Sequence, residues 1–155
     1  MVIKQNNNLN FNIMKTLKKI ILGLAMLAFC GAVKANINED GKLTKIHAIN
    51  TYVDAMTRGK LNGFNDVLDN STAFNMVRGK QLLSFNKKQM LDYLQSNKNV
   101  EQLCTTSTSV VESNASIAIV KVDMKYENFT RSNYVTIAHT TNGWKITNVY
   151  SVFVS

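Results

Sequence analysis

The chain has 155 residues, enough for one domain, with two cysteines, two histidines and no proline. That composition excludes a disulfide-stapled scaffold and a Cys/His-rich metal centre. The formal charge of +8 belongs mostly to the N-terminus: Lys4, Lys15, Lys18, Lys19 and Lys34 stand in the first 35 residues with no acid, and the remainder holds 13 basic against 10 acidic residues, a net +3. So mild a balance excludes nucleic acid or an anionic membrane surface as the expected partner.

Residues 1–13 are Asn-rich and read as an upstream extension, with Met1 or Met14 as the initiator. Residues 14–35 have the layout of a secretory signal peptide. Lys15, Lys18 and Lys19 form a positive start, Ile20–Phe29 an apolar run, and Ala32-Val33-Lys34-Ala35 a cleavage site after Ala35. The run is about half of the roughly 20 residues a membrane span needs. The expected location is therefore the periplasm or outside the cell, with the membrane met only during export. Lipid attachment at Cys30 is the alternative, ranked second because bulky Phe29 stands where a lipobox wants a small residue.

Residues 36–42 read as a flexible lead-in, and 43–155 as the domain. Leu43, Ile46, Ile49, Val53 and Met56 recur at helical spacing and predict one buried stripe, capped by Asp40 and stopped at Gly59. Tyr52 falls at the edge of that stripe, its hydroxyl free to reach a cavity. A turn at Leu61-Asn62-Gly63 leads to a short helix carrying Phe64, Val67 and Leu68, ended by Asp69-Asn70-Ser71. Ala73–Val77 and Gln81–Phe85 read as strands about a turn at Arg78-Gly79-Lys80. Asn86 and Gln89 form a capping box for a third helix, buried through Met90, Leu91 and Leu94.

Four strands follow, over Val100–Glu112, Ser116–Glu127, Tyr134–Thr140 and Trp144–Val154. Residues Asn128–Arg131 read as a turn. Asn142-Gly143 is a two-residue hairpin signal. It sets Thr141 opposite Trp144, His139 opposite Ile146, Ile137 opposite Asn148 and Val135 opposite Tyr150, all on one inward face. The sum is an α+β domain of order α-α-β-β-α-β-β-β-β.

That order resembles the nuclear transport factor 2-like superfamily, in which a cone of curved antiparallel sheet wraps a long N-terminal helix. Tyr52-Val53-Asp54-Ala55-Met56, Gly59-Lys60-Leu61, Asp66-Val67-Leu68 and Thr72-Ala73-Phe74 are similar to its wording over residues 43–154. The branch of exported bacterial lumazine-binding and polyketide-cyclase-like proteins is the most similar. Ketosteroid isomerases share the superfamily, and their oxyanion tyrosine matches Tyr52. Their general-base aspartate falls at Met76, and their protonated aspartate near Val135. Neither residue can move or share a proton, so the resemblance implies the fold and a hollow, not that reaction.

Two polar groups, His139 and Asn148, interrupt the expected inward face. His139 suits a general base, a role imidazoles commonly take, or else is simply a strand histidine. Asn148 suits ligand orientation or a backbone-bonded core amide. Cys104 reads as a packed thiol and His47 as solvated. The expectation is a non-catalytic binding domain without cofactor or metal. Its pocket, lined by Tyr52, Phe74, Met76, Val122, Val135, Ile137, His139, Asn148 and Tyr150, would take a small apolar or aromatic ligand. The alternatives are an isomerase or cyclase using Tyr52 and His139, and a structural homodimer formed through the sheet.

Overall fold

A computed structural model of the chain describes residues 44–155. The upstream extension, the export signal, the lead-in, Asp40 and Leu43 lie outside the described residues. Helix α1 spans Lys45–Arg58, α2 Phe64–Val67 and α3 Lys87–Ser96. The strands are β1 (Leu68–Arg78), β2 (Gln81–Asn86), β3 (Thr105–Ser113), β4 (Ile117–Lys125), β5 (Thr130–Thr140) and β6 (Gly143–Val154). They form one curved, open sheet of order β2-β1-β6-β5-β4-β3. Neighbours run antiparallel, except that β1 lies parallel to β6. Only a long crossover can bring a parallel strand home, and here it carries α3 and four intervening strands.

Thr44, not Asp40, is the cap of α1: its side chain accepts from the His47 N–H at 3.1 Å. The buried face is turned by about one residue from the expected stripe. Ala48, Ile49, Tyr52, Ala55 and Met56 are buried, whereas Ile46 is 58% exposed. Small Ala48 and Ala55 let the helix approach the sheet closely, and so decide which side faces in. The expected capping box of α3 is present: Asn86 Oδ1 accepts from the Gln89 N–H and Gln89 Oε1 from the Asn86 N–H.

The last hairpin differs from the expected register. Thr140 pairs with Gly143 and His139 with Trp144, so Thr141-Asn142 make the turn. Gly143 has φ 91°, the left-handed residue of a bulge that follows a type I turn. A second irregularity follows: Ile137 pairs with Ile146, but Thr136 pairs with Asn148. The extra residue, Thr147, reverses the facing of everything after it. Val149 and Ser151 become buried on the helix side, and Asn148 and Tyr150 pass to the outer face. Tyr150 consequently pairs with Tyr134, not with Val135.

Gly59 closes α1 with φ 61°, a conformation that costs side-chain-bearing residues about 1–2 kcal/mol. A Cβ there would also meet backbone: Asn99 N at 2.6 Å, Asn97 O at 2.8 Å and Val100 N at 2.9 Å. The loop after α3 docks on this point, with Asn99 N–H donating to the Gly59 carbonyl at 3.0 Å and Gln102 N–H to the Thr57 carbonyl at 2.7 Å. Gly59→Ala should therefore destabilise the domain by roughly 2–4 kcal/mol, strain and clash together. Urea unfolding checks this, and a loss under about 0.5 kcal/mol, the usual range for a surface change, would contradict the docking.

Candidate functional site

Beyond Met56 the helix no longer fills the sheet. An open cavity of about 570 Å³ lies there, between α3, the far ends of β1 and β2, and the start of β5. Its apolar wall is Met56, Met76, Leu83, Phe85, Met90 and Tyr93. The pairings Phe74 with Phe85 and Met76 with Leu83 put these side chains on the helix-facing side of the sheet. Gln89, Met90 and Tyr93 reach the cavity from one side of α3. Arg78, Asp92 and Arg131 supply its charges.

Arg131 enters through strand alternation. On β5, Arg131, Asn133, Val135 and Ile137 share one face, and the last three are fully buried. Arg131 Nη2 donates to Ser151 Oγ at 3.3 Å, Ser151 Oγ donates to Asn133 Oδ1 at 2.7 Å, and Asn133 Nδ2 donates to the Val122 carbonyl at 3.1 Å. A polar chain thus runs from the cavity into the core. Among the described residues, two buried groups have no hydrogen-bond partner: Arg131 Nε and the Tyr52 hydroxyl. Burial pushes the Tyr52 phenol up to about 12, with the Arg131 charge pulling the other way. At neutral pH Tyr52 is therefore an uncharged donor.

The residues singled out from sequence are distributed between three places. Met76 lines the cavity. Tyr52, Val122, Val135 and Ile137 are fully buried, and Phe74 is 3% exposed; they form the packed core rather than the cavity wall. Asn148 and Tyr150 lie on the outer face, where Asn75 Nδ2 donates to Asn148 Oδ1 at 2.9 Å. His139 is exposed and stacks obliquely on Trp144, ring centroids 5.2 Å apart, with Lys45 Nζ 4.1 Å from the Trp144 ring. It is eight residues from Arg131 on β5, about 26 Å along the strand. The structure does not bring Tyr52 and His139 into one site. Cys104 is a half-buried free thiol, and among the described residues no cluster of His, Cys, Asp or Glu could hold a metal ion.

Sequence reasoning missed Arg131, Leu83, Phe85, Gln89 and Tyr93. The signal for Arg131 was present: the alternation through Val135 and Ile137 extends back to Asn133 and Arg131. Reading Asn128–Arg131 as a turn hid it, whereas β5 begins at Thr130.

Residues 43–151 match the family model described as "Putative lumazine-binding". The chain belongs to that family. Solved structures agree on the fold. A nuclear transport factor 2-like protein of unknown function from Silicibacter pomeroyi is 17% identical, with TM-score 0.60, covering 70% of this chain and 92% of that one. A similar protein from Cytophaga hutchinsonii is 12% identical, with TM-score 0.56 and coverages of 70% and 94%. A ketosteroid isomerase-like protein from Erwinia carotovora atroseptica is 13% identical, with TM-score 0.52 and coverages of 70% and 92%. No curated protein matches the chain.

The orphaned phenol yields a test. An unsatisfied buried hydroxyl costs about 1–3 kcal/mol, so Tyr52→Phe should leave stability unchanged or raise it by up to about 2 kcal/mol. Chemical denaturation measures this. A loss above 1 kcal/mol, a large fraction of total stability, would show that the hydroxyl has a partner.

Proposed function

We propose that this member of the putative lumazine-binding family is an exported, non-catalytic binding domain whose ligand enters the cavity between α3, β1, β2 and the start of β5. The cavity itself carries the reading. Its 570 Å³ falls within the roughly 300–1,000 Å³ of small-molecule sites, and an apolar wall with a few placed polar groups is their usual lining. Met56, Met76 and Met90 give that wall flexible, polarisable surface suited to an aromatic or branched body. The family description favours a small ligand. Binding is preferred to turnover because the lining contains no imidazole, and its carboxylate, Asp92, is engaged by Lys88 Nζ at 2.6 Å. Export rests on the Lys-flanked apolar run and the small-residue site ending at Ala35.

A second reading concerns assembly. Tyr134 and Tyr150 pair at mid-sheet on the outer face, each 36% exposed. Asp123 accepts there from Ser132 Oγ at 2.6 Å and Lys121 Nζ at 2.9 Å. An aromatic centre with a hydrogen-bonded polar margin is the anatomy of an interface between copies of this chain.

Native mass spectrometry of the protein recovered from its own cell envelope tests export and binding together. The expected species begins at Asn36 and carries a co-purifying small molecule. An intact N-terminus would sink export, and a consistently empty protein would count against binding. For assembly, light scattering should give a dimer that Tyr150→Lys converts to a monomer; a monomeric wild-type chain would end that reading.

A further inference from the structure

The cavity wall holds a cation with donors to spare, its guanidinium carbon 6.0 Å from the Phe153 ring centroid. Arg131 has five N–H donors, of which one makes a long 3.3 Å contact to Ser151 while Nε is buried without a partner. Asn133 and Ser151, hydrogen-bonded to each other, brace the same region of the inner face. Such a group costs stability until something accepts from it. The charges around it agree. Arg78 and Arg131 both line the cavity, and neither has a carboxylate within 4.0 Å among the described residues. The opposing charge, Asp92, is half-spent on Lys88 and 64% exposed at its side chain.

We infer that the cavity takes an organic carboxylate, an acid with an aromatic-sized apolar body whose head is held by the Arg131 guanidinium. The inference rests on the cavity being the ligand site. A planar guanidinium fork matches a carboxylate in two parallel hydrogen bonds, and does so best where water is scarce. The body then lies along Met76, Leu83, Phe85 and Met90. A cationic ligand would face two guanidinium groups without a free countercharge. A neutral ligand would leave the Arg131 charge buried against apolar surface, which is the costlier complex.

Matched probes separate these outcomes: 2-naphthoate and 2-naphthamide, titrated calorimetrically into the purified full chain. The acid should bind wild type more tightly than the amide, and more weakly as salt is added. Arg131→Gln should weaken the acid about 10- to 100-fold and leave the amide nearly unchanged. Arg131→Lys keeps the charge but loses the fork, and should give an intermediate loss. Met76→Trp, which fills the cavity, should abolish binding of both probes. Equal binding of acid and amide to wild type, or an acid affinity indifferent to Arg131→Gln, would overturn the carboxylate inference while Met76→Trp still blocked both. Binding unaffected by Met76→Trp, or no binding of either probe, would instead overturn the cavity reading and the inference with it. The comparison of probes on wild type decides the matter even where an Arg131 variant fails to fold.

Discussion

One face of α1 is sealed against the sheet, and the rest of the domain is arranged by that contact. Tyr52 and Ala48 of the helix reach zero exposure in one cluster with Val122, Val135, Ile137 and Ile146. Each large apolar side chain so buried contributes about 1.5–3 kcal/mol. A ladder hydrogen bond given up at a bulge costs nearer 1 kcal/mol. Core filling therefore outranks strand regularity, and β6 shows the consequence. Thr147 breaks the pairing so that both Ile146 and Val149 can face the helix.

The same ranking explains what the sequence let one read. The order of helices and strands along the chain, the α3 capping box and the Gly59 stop were legible because each depends on local chemistry at a few residues. The facing of β6 was not. A regular strand through Ile146 would bury Asn148 and Tyr150, and strict alternation predicts just that. The counter-signal was the spacing of three between Ile146 and Val149, but its meaning depends on which residues α1 presents across the gap. Asn142-Gly143 misled for a related reason. Glycine there supplies the left-handed residue of a bulge, while Thr140 Oγ1 holds the turn by donating to the Gly143 carbonyl at 2.8 Å and accepting from the Asn142 N–H at 3.2 Å. The expected site residues followed the expected facing, so two of them, Asn148 and Tyr150, went to the wrong side of the sheet.

Length sets where the hollow lies. Helix α1 has 14 residues, about 21 Å at 1.5 Å each. Strand β6 has 12, about 40 Å at 3.3 Å each. A rod half as long as the trough around it leaves the ends to be closed by something else. At the end where α1 starts, Lys45 closes over Trp144, and His139 stacks beside it. At the other end Gly59 turns the chain away, and α3 approaches from the side, contributing Met90 and Leu94 to the core. A helix laid over the β1–β2 edge cannot fill the space that a continued α1 would have taken. The cavity is the remainder.

That remainder falls where the inner face turns polar. Along β5 the inward residues change from Ile137 and Val135 to Asn133 and then Arg131, and along β6 from Val149 to Ser151. In a filled cone these groups would be a liability, since each buried donor needs an acceptor. Asn133 and Ser151 satisfy one another and the Val122 carbonyl. Arg131, nearest the opening, is left with donors to spare. The gradient from apolar to polar thus runs along the axis on which the helix stops, and Arg131, with a buried donor unpaired, stands in the wall of the cavity. Contacts to Ser151 and the Phe153 ring are a weak reason to keep a guanidinium there, because a methionine in its place would fill the wall without leaving a buried donor unpaired. A binding role for that position supplies the stronger reason.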